Sequence, residues 1–142
     1  DSVFSFPRKH AMAVADAVAR RDMGARWTAY VNPTDVQDDL VASMARGGCH
    51  AVELGVDVAD EEMLTNARKG FGLSALEKSV ELLHDHGISI GLYALLGGPG
   101  ETRASAERSL AFLRRFPQVE AIIFTFGMRI YPGTELERIS RE

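Results

Sequence analysis

Strand-like and helix-like stretches alternate along this chain with almost no interruption, and that rhythm restricts the fold more than any other feature of the sequence. Phe6 to Arg21 carries Ala11, Val14, Ala15 and Val18 at the spacing of one helical face, with Pro7 in the first turn and Gly24 beyond the end. Arg26–Asn32 reads as a strand. Thr34-x-x-Gln37 reads as a capping box opening a helix that turns Val36, Leu40 and Met44 to one side and stops at Gly47-Gly48. His50–Asp57 is the next strand, and Asp60-Glu61-Glu62 suits the positive end of a short helix. A second box, Ser74-x-x-Glu77, predicts a helix with Leu73, Leu76, Val80 and Leu83 inward and Gly87 at its end. Ile88–Tyr93, a helix from about Thr102 to Phe116 and a strand over Glu120–Phe126 complete the series.

Such alternation predicts a parallel sheet with right-handed crossovers. Residue parity then separates a doubly wound sheet from a barrel. Successive strand residues face opposite sides. Trp27, Ala29 and Val31 oppose Thr28, Tyr30 and Asn32; Val52, Leu54 and Val56 oppose Ala51, Glu53, Gly55 and Asp57; Ile88, Ile90 and Leu92 oppose Ser89, Gly91 and Tyr93. A sheet covered by helices on both faces is apolar on both. Three strands here keep one face polar or small. The expectation is therefore an α/β chain forming an incomplete parallel (β/α) barrel of the TIM type, about four to five strands with outer helices and a ligand-lined interior. Four strands cannot close a barrel, and Asp1-Ser2-Val3-Phe4 lacks an initiator methionine, so a single domain cut from a longer polypeptide is expected.

The 142 residues are 46% hydrophobic and 25% charged, the balance of an ordinary globular domain. A net charge of −4, with no basic stripe among aromatics, gives no support for a nucleic-acid partner. No apolar run reaches the length of a membrane span. Cys49, the one cysteine, rules out an internal disulfide or a multi-thiolate metal site within these residues. It fits a reducing compartment, hence a cytoplasmic protein.

The stretch Gly91–Thr102, GLYALLGGPGET, brings bare backbone to the C-terminal end of a strand, where parallel α/β proteins bind ligands. Gly97-Gly98-Pro99-Gly100 has neither the lysine of a P-loop nor the spacing of a dinucleotide fingerprint. It reads either as an anion cradle or as a tight turn with Glu101 or Thr102 as helix cap. Glu53, mid-strand on the inward face, needs a partner or a ligand. Asp57, at the strand end, is placed either to touch a ligand hydroxyl or to cap its loop. Arg68 and Lys69 are surface charges unless they turn over the barrel mouth. His84 and His86, two apart on a helix, do not share a face and suit its C-terminal end as exposed cations.

In order and spacing these stretches resemble the radical S-adenosylmethionine (SAM) enzymes. The similarity is greatest to the branch holding cobalamin-binding methyltransferases and cyclases, methylthiotransferases and oxygen-independent coproporphyrinogen oxidases. It rests on Asn32-Pro33, on Gly47-Gly48-Cys49 before Val52-Glu53-Leu54-Gly55-Val56-Asp57, and on Arg68-Lys69-Gly70. It continues through Leu96-Gly97-Gly98-Pro99-Gly100-Glu101-Thr102 and Ile130-Tyr131-Pro132-Gly133-Thr134-Glu135-Leu136.

The resemblance implies a partial (β/α)6 barrel whose mouth holds SAM against a [4Fe–4S] cluster. It places Asp57 on the SAM ribose, Lys69 on the methionyl carboxylate, and Tyr30, Asn32, Glu53 and Tyr93 on the inner wall. Tyr30 and Tyr93 stand where relatives often have carboxylates. The family's GxIxGxxE pattern becomes Ala94-x-Leu96-x-Gly98-x-x-Glu101, with Leu96 beneath adenine, and Tyr131 borders the adenine side. Asp1 and Phe4 match an Asp-x-x-Phe pattern. The CxxxCxxC loop that binds the cluster is absent, so the cluster ligands are expected elsewhere in a parent polypeptide, and these residues alone are expected to be inactive. The implied chemistry is that of the 5′-deoxyadenosyl radical, leading to methyl transfer or cyclisation on a small-molecule or cofactor-biosynthesis substrate. Ile130–Leu136 leans towards the branch that brings cobalamin on another domain. Two other readings of the residues stand beside this one: a non-catalytic (β/α) phosphate- or nucleotide-binding domain, and a small α/β enzyme using Glu53 and Asp57 as acid and base.

Overall fold

Four strands lie side by side in chain order and all run parallel: β1 (Trp27–Val31), β2 (Cys49–Asp57), β3 (Ser89–Leu96) and β4 (Ala121–Phe126). The structure, a computed structural model, describes residues 3–21 and 24–141. Asp1, of the Asp-x-x-Phe pattern, lies outside the described residues. A doubly wound sheet reverses its strand order at a switch point. Here no reversal occurs among the described residues, and the order is that of a barrel wall. The helices are α1 (Arg8–Arg21), α2 (Asp38–Arg46), α3 (Glu61–Asn66), α4 (Leu73–Asp85), α5 (Arg103–Leu113) and α6 (Glu135–Ser140), with a 3-10 turn at Pro33–Asp35.

The register lines up two kinds of row across the sheet. Val31, Leu54, Leu92 and Ile122 form one row, and Tyr30, Glu53, Gly91 and Ala121 form the next. The apolar rows pack against Ala11 and Ala15 of α1, Leu40, Val41 and Met44 of α2, Leu76, Val80 and Leu83 of α4, and Leu113 of α5. Leu54 and Leu92 are fully buried there. Each such side chain contributes roughly 1.5–3 kcal/mol by leaving water. The alternate rows are left partly or fully exposed.

Between α2 and β2 the chain turns through Gly48 at φ +86°, where a Cβ would lie 2.2 Å from the Ala25 carbonyl oxygen. That carbonyl precedes β1, so the glycine lets the turn close under the strand it pairs with.

Two expected helix starts are corrected by the structure. The Thr34–Gln37 capping box does not form. Asn32 Oδ1 accepts instead from the Thr34 amide at 3.0 Å and caps the Pro33–Asp35 turn, while α2 begins at Asp38 behind Gln37, which makes no side-chain cap. Asn-Pro starts the turn early because proline fits a first turn without needing an amide. The Ser74–Glu77 box is also absent. α4 begins at Leu73, whose amide donates to Glu61 Oε1 of α3 at 3.0 Å, and Glu77 pairs with Arg115 at 3.0 Å. A reciprocal box is present at α5, between Thr102 and Ser105.

Candidate functional site

The polar side of the sheet and the C-terminal ends of its strands gather most of the residues singled out by sequence. Tyr30 on β1 and Tyr93 on β3 stand with ring centroids 6.2 Å apart. Glu53 of the intervening strand is the register partner of Tyr30. Its other neighbour in the row is Gly91, which has no side chain to cover it. Glu53 Oε2 is buried and has no hydrogen-bond partner among the described residues. The hydrogen-bonding and charge of the Glu53 carboxylate, with smaller contributions from Tyr93, raise the Tyr30 phenol above its ordinary range. Tyr30, 55% exposed, is therefore a protonated donor beside a carboxylate acceptor.

At the end of β2, Asp57 adopts φ +56° and pairs through Oδ2 with Lys69 Nζ. The loop that carries Lys69 is tied back to α3, since the Lys69 amide donates to the Leu64 carbonyl at 3.0 Å. Asp57 and Lys69, expected to meet different groups of one ligand, here meet each other. Asn32, at the end of β1, has its side-chain oxygen committed to the Pro33–Asp35 turn.

After β3 the glycine turn is braced from within. Glu101 Oε2 accepts from the Gly97 amide, and Glu101 Oε1 is buried without a partner among the described residues. Thr102, not Glu101, caps the following helix. The Leu96 carbonyl accepts from the Gly127 amide at 2.7 Å, which joins the ends of β3 and β4. Gly98 faces the Met128 methyl, and Gly97, Gly98 and Pro99 line an apolar groove with Ile130, Leu136 and Ile139. Tyr131, 54% exposed, accepts at its hydroxyl from Arg129 Nη1 at 3.1 Å.

The structure thus assembles Tyr30, Glu53 and Tyr93 as one group, Asp57 and Lys69 as a second, and Leu96, Gly98 and Glu101 as a third. α6, which contributes Leu136 and Ile139 to the groove, was missed. Its signal was present: Thr134-x-x-Glu137 is a capping pattern, and the Thr134 hydroxyl accepts from the Glu137 amide at 3.2 Å. Arg138, by hydrogen bond and charge, holds Glu135 at the start of α6 below its ordinary value, and Arg68 contributes to the same shift.

An iron–sulfur cluster does not fit the donors of this chain. Burial pushes the Cys49 thiol up to about 11. No group of three or more histidine, cysteine or acidic side chains that could hold a metal occurs among the described residues. SAM is a better match to this end of the sheet: Glu53 Oε2 on its polar face and Glu101 Oε1 in the glycine turn are both buried without partners among the described residues. No helix among the described residues is long and apolar enough to cross a membrane.

The family model described as "Radical SAM superfamily" matches residues 5–113. An uncharacterized methyltransferase of Pyrococcus horikoshii is 26% identical over 137 residues, covering 96% of this chain and 29% of its own length. The tryptophan 2-C-methyltransferase of Streptomyces laurentii is 28% identical over 93% of this chain and 24% of its own. Among solved structures, the radical SAM methyltransferase TsrM of Kitasatospora setae, with cobalamin and a [4Fe–4S] cluster bound, superposes with a TM-score of 0.85. At 24% identity it covers 96% of this chain and 28% of its own, and the likeness shows the fold. The chain therefore spans less than a third of each of these relatives.

Proposed function

The chain belongs to the radical SAM superfamily, and from that premise we propose that its open sheet face is the SAM-facing wall of a radical enzyme's catalytic core. Bound SAM, next to a reduced cluster, supplies the radical or methyl-transfer chemistry. The thiolates for that cluster lie outside these 142 residues, which are expected to be inactive alone. In this reading Lys69 holds the methionyl carboxylate, Asp57 the ribose hydroxyls, and Leu96 and Gly98 the adenine, with Tyr131 at its border. Glu101 keeps the glycine turn in shape. Tyr30, Asn32, Glu53 and Tyr93 line the inner wall, against which a small-molecule or cofactor-precursor substrate rests. Cobalamin, if the parent uses it, belongs to another domain.

The observation that carries the proposal is the Asp57–Lys69 pair at the end of β2, beside the glycine turn that follows the neighbouring strand. Calorimetric titration of the intact protein with SAM tests it. Lys69→Ala is expected to weaken binding tenfold or more, whereas Lys9→Ala, on the exposed side of α1, leaves it unchanged. Equal affinities for the two variants would remove Lys69 from the site. Release of 5′-deoxyadenosine by these residues alone would overturn the assignment of the cluster to other parts of the protein.

A further inference from the structure

The group formed by Tyr30, Glu53 and Tyr93 holds an acceptor, Glu53 Oε2, that has no hydrogen-bond partner among the described residues and that the cofactor reading does not use. Glu53 forms no ion pair among the described residues, although strands flank it on both sides. The positions around it on the same face of the sheet, from Thr28 on β1 to Thr125 on β4, contain neither lysine nor arginine. The cation that the loop after α3 brings to the end of β2, Lys69, pairs with Asp57 and not with Glu53. A carboxylate oxygen withdrawn from water without a partner is costly, and the cost is relieved by a cation or a strong donor. The tyrosine rings on either side carry negative π-faces that favour the same sign of charge. Gly91 brings no side chain to the row, and a Cβ there would sit 3.8 Å from Glu53 Cγ, so the Glu53 side chain lies directly over the glycine.

We propose that Glu53, walled by Tyr30 and Tyr93, is the subsite that receives a protonated nitrogen of the substrate. The substrate class is thus an amine, with its ammonium at Glu53 and its apolar body against the tyrosine rings. This assignment rests on the reading that the open face holds cofactor and substrate together. The same positive charge could come from SAM itself, through its sulfonium or its amino group, so the test separates the two sources.

The probe is 2-phenylethylamine, with 2-phenylethanol as its neutral isostere, titrated calorimetrically into the intact protein at neutral pH. The amine is expected to bind at least tenfold more tightly than the alcohol. Glu53→Gln, which keeps the shape of the side chain, is expected to bring the two within twofold, with its circular dichroism unchanged. Equal affinities for amine and alcohol in the unaltered protein would overturn the subsite, whether or not SAM binds. A preference retained in Glu53→Gln would overturn it as well. Loss of amine binding once SAM saturates the protein would assign the charge to the cofactor and overturn the substrate assignment. SAM titrated alone into the unaltered protein tests the underlying reading separately. Absence of SAM binding alongside a Glu53-dependent amine preference would sink that reading and leave the amine subsite standing.

Discussion

Lys69 and Asp57, 12 residues apart in sequence, hold each other at the C-terminal end of β2 with side chains 27% and 39% exposed. A pair that open to solvent contributes little to stability, about 0–1 kcal/mol. It is therefore easily exchanged when a ligand offers a second carboxylate. If Lys69 meets a ligand carboxylate there, SAM affinity is expected to fall as salt is raised from about 20 mM to about 300 mM, because exposed charges are screened over that range. In Lys69→Ala the same titration series is expected to be flatter. Identical salt slopes would argue that Lys69 never leaves Asp57.

Gly48 is the position least able to accept a side chain. Its φ of +86° and the 2.2 Å that would separate a Cβ from the Ala25 oxygen act together. Gly48→Ala is expected to cost more than about 1 kcal/mol, the scale of left-handed backbone strain in a residue with a Cβ. Urea denaturation followed by circular dichroism reads the shift in midpoint. Gly87→Ala makes the control, since its φ is +69° but nothing lies within 4 Å of the new atom. A loss at Gly48 no greater than that at Gly87 would show that the close approach is unimportant.

Thr102 caps α5 immediately after the glycine turn, accepting from the Ser105 amide at 3.1 Å. Thr102→Ala is expected to destabilise the protein by about 1 kcal/mol, and Thr102→Ser by much less. Because Glu101 and the glycine turn directly precede this cap, amide exchange at Gly97–Glu101 is expected to accelerate in the alanine variant. Unchanged exchange there would separate the cap from the loop.

Asp60 caps α3 while its Oδ2 accepts from Arg108 Nε at 2.6 Å. The Arg108 hydrogen bond, aided by backbone amides such as that of Met63, holds the carboxyl below its ordinary value of 3.8. Unfolding restores that value, so the pair's contribution is complete above about pH 5 and is lost as pH falls through the depressed value. Asp60→Asn keeps the cap and removes the charge. Its deficit in urea midpoint is expected at pH 7 and to shrink below about pH 4. A deficit that stays constant with pH would mean that the charge is not responsible.

The sheet was legible because its signal is local. Alternation along Ala51–Asp57 and Ile88–Tyr93 reports which face each side chain takes, and the rows observed across β1, β2 and β3 follow that parity. Helix starts were less legible where distant side chains decide them. Nothing within Thr34–Gln37 indicates that Asn32 will take the first amide, and nothing near Ser74 reveals Glu61 reaching the Leu73 amide. Of the site, Glu53 could be marked from sequence as a carboxylate in need of company. Its placement between two tyrosines required the register, and the pairing of Asp57 with Lys69 required the return of the loop after α3.

Because Leu54 and Leu92 face the helices while Glu53 and Tyr93 face the open side of the sheet, adjacent residues of a single strand answer to different demands. Changes to one set are felt as melting, and changes to the other as altered recognition, with little traffic between them. A scaffold divided in that way can be repurposed for a new reactant by rewriting every second letter of its strands, leaving the architecture that supports them undisturbed.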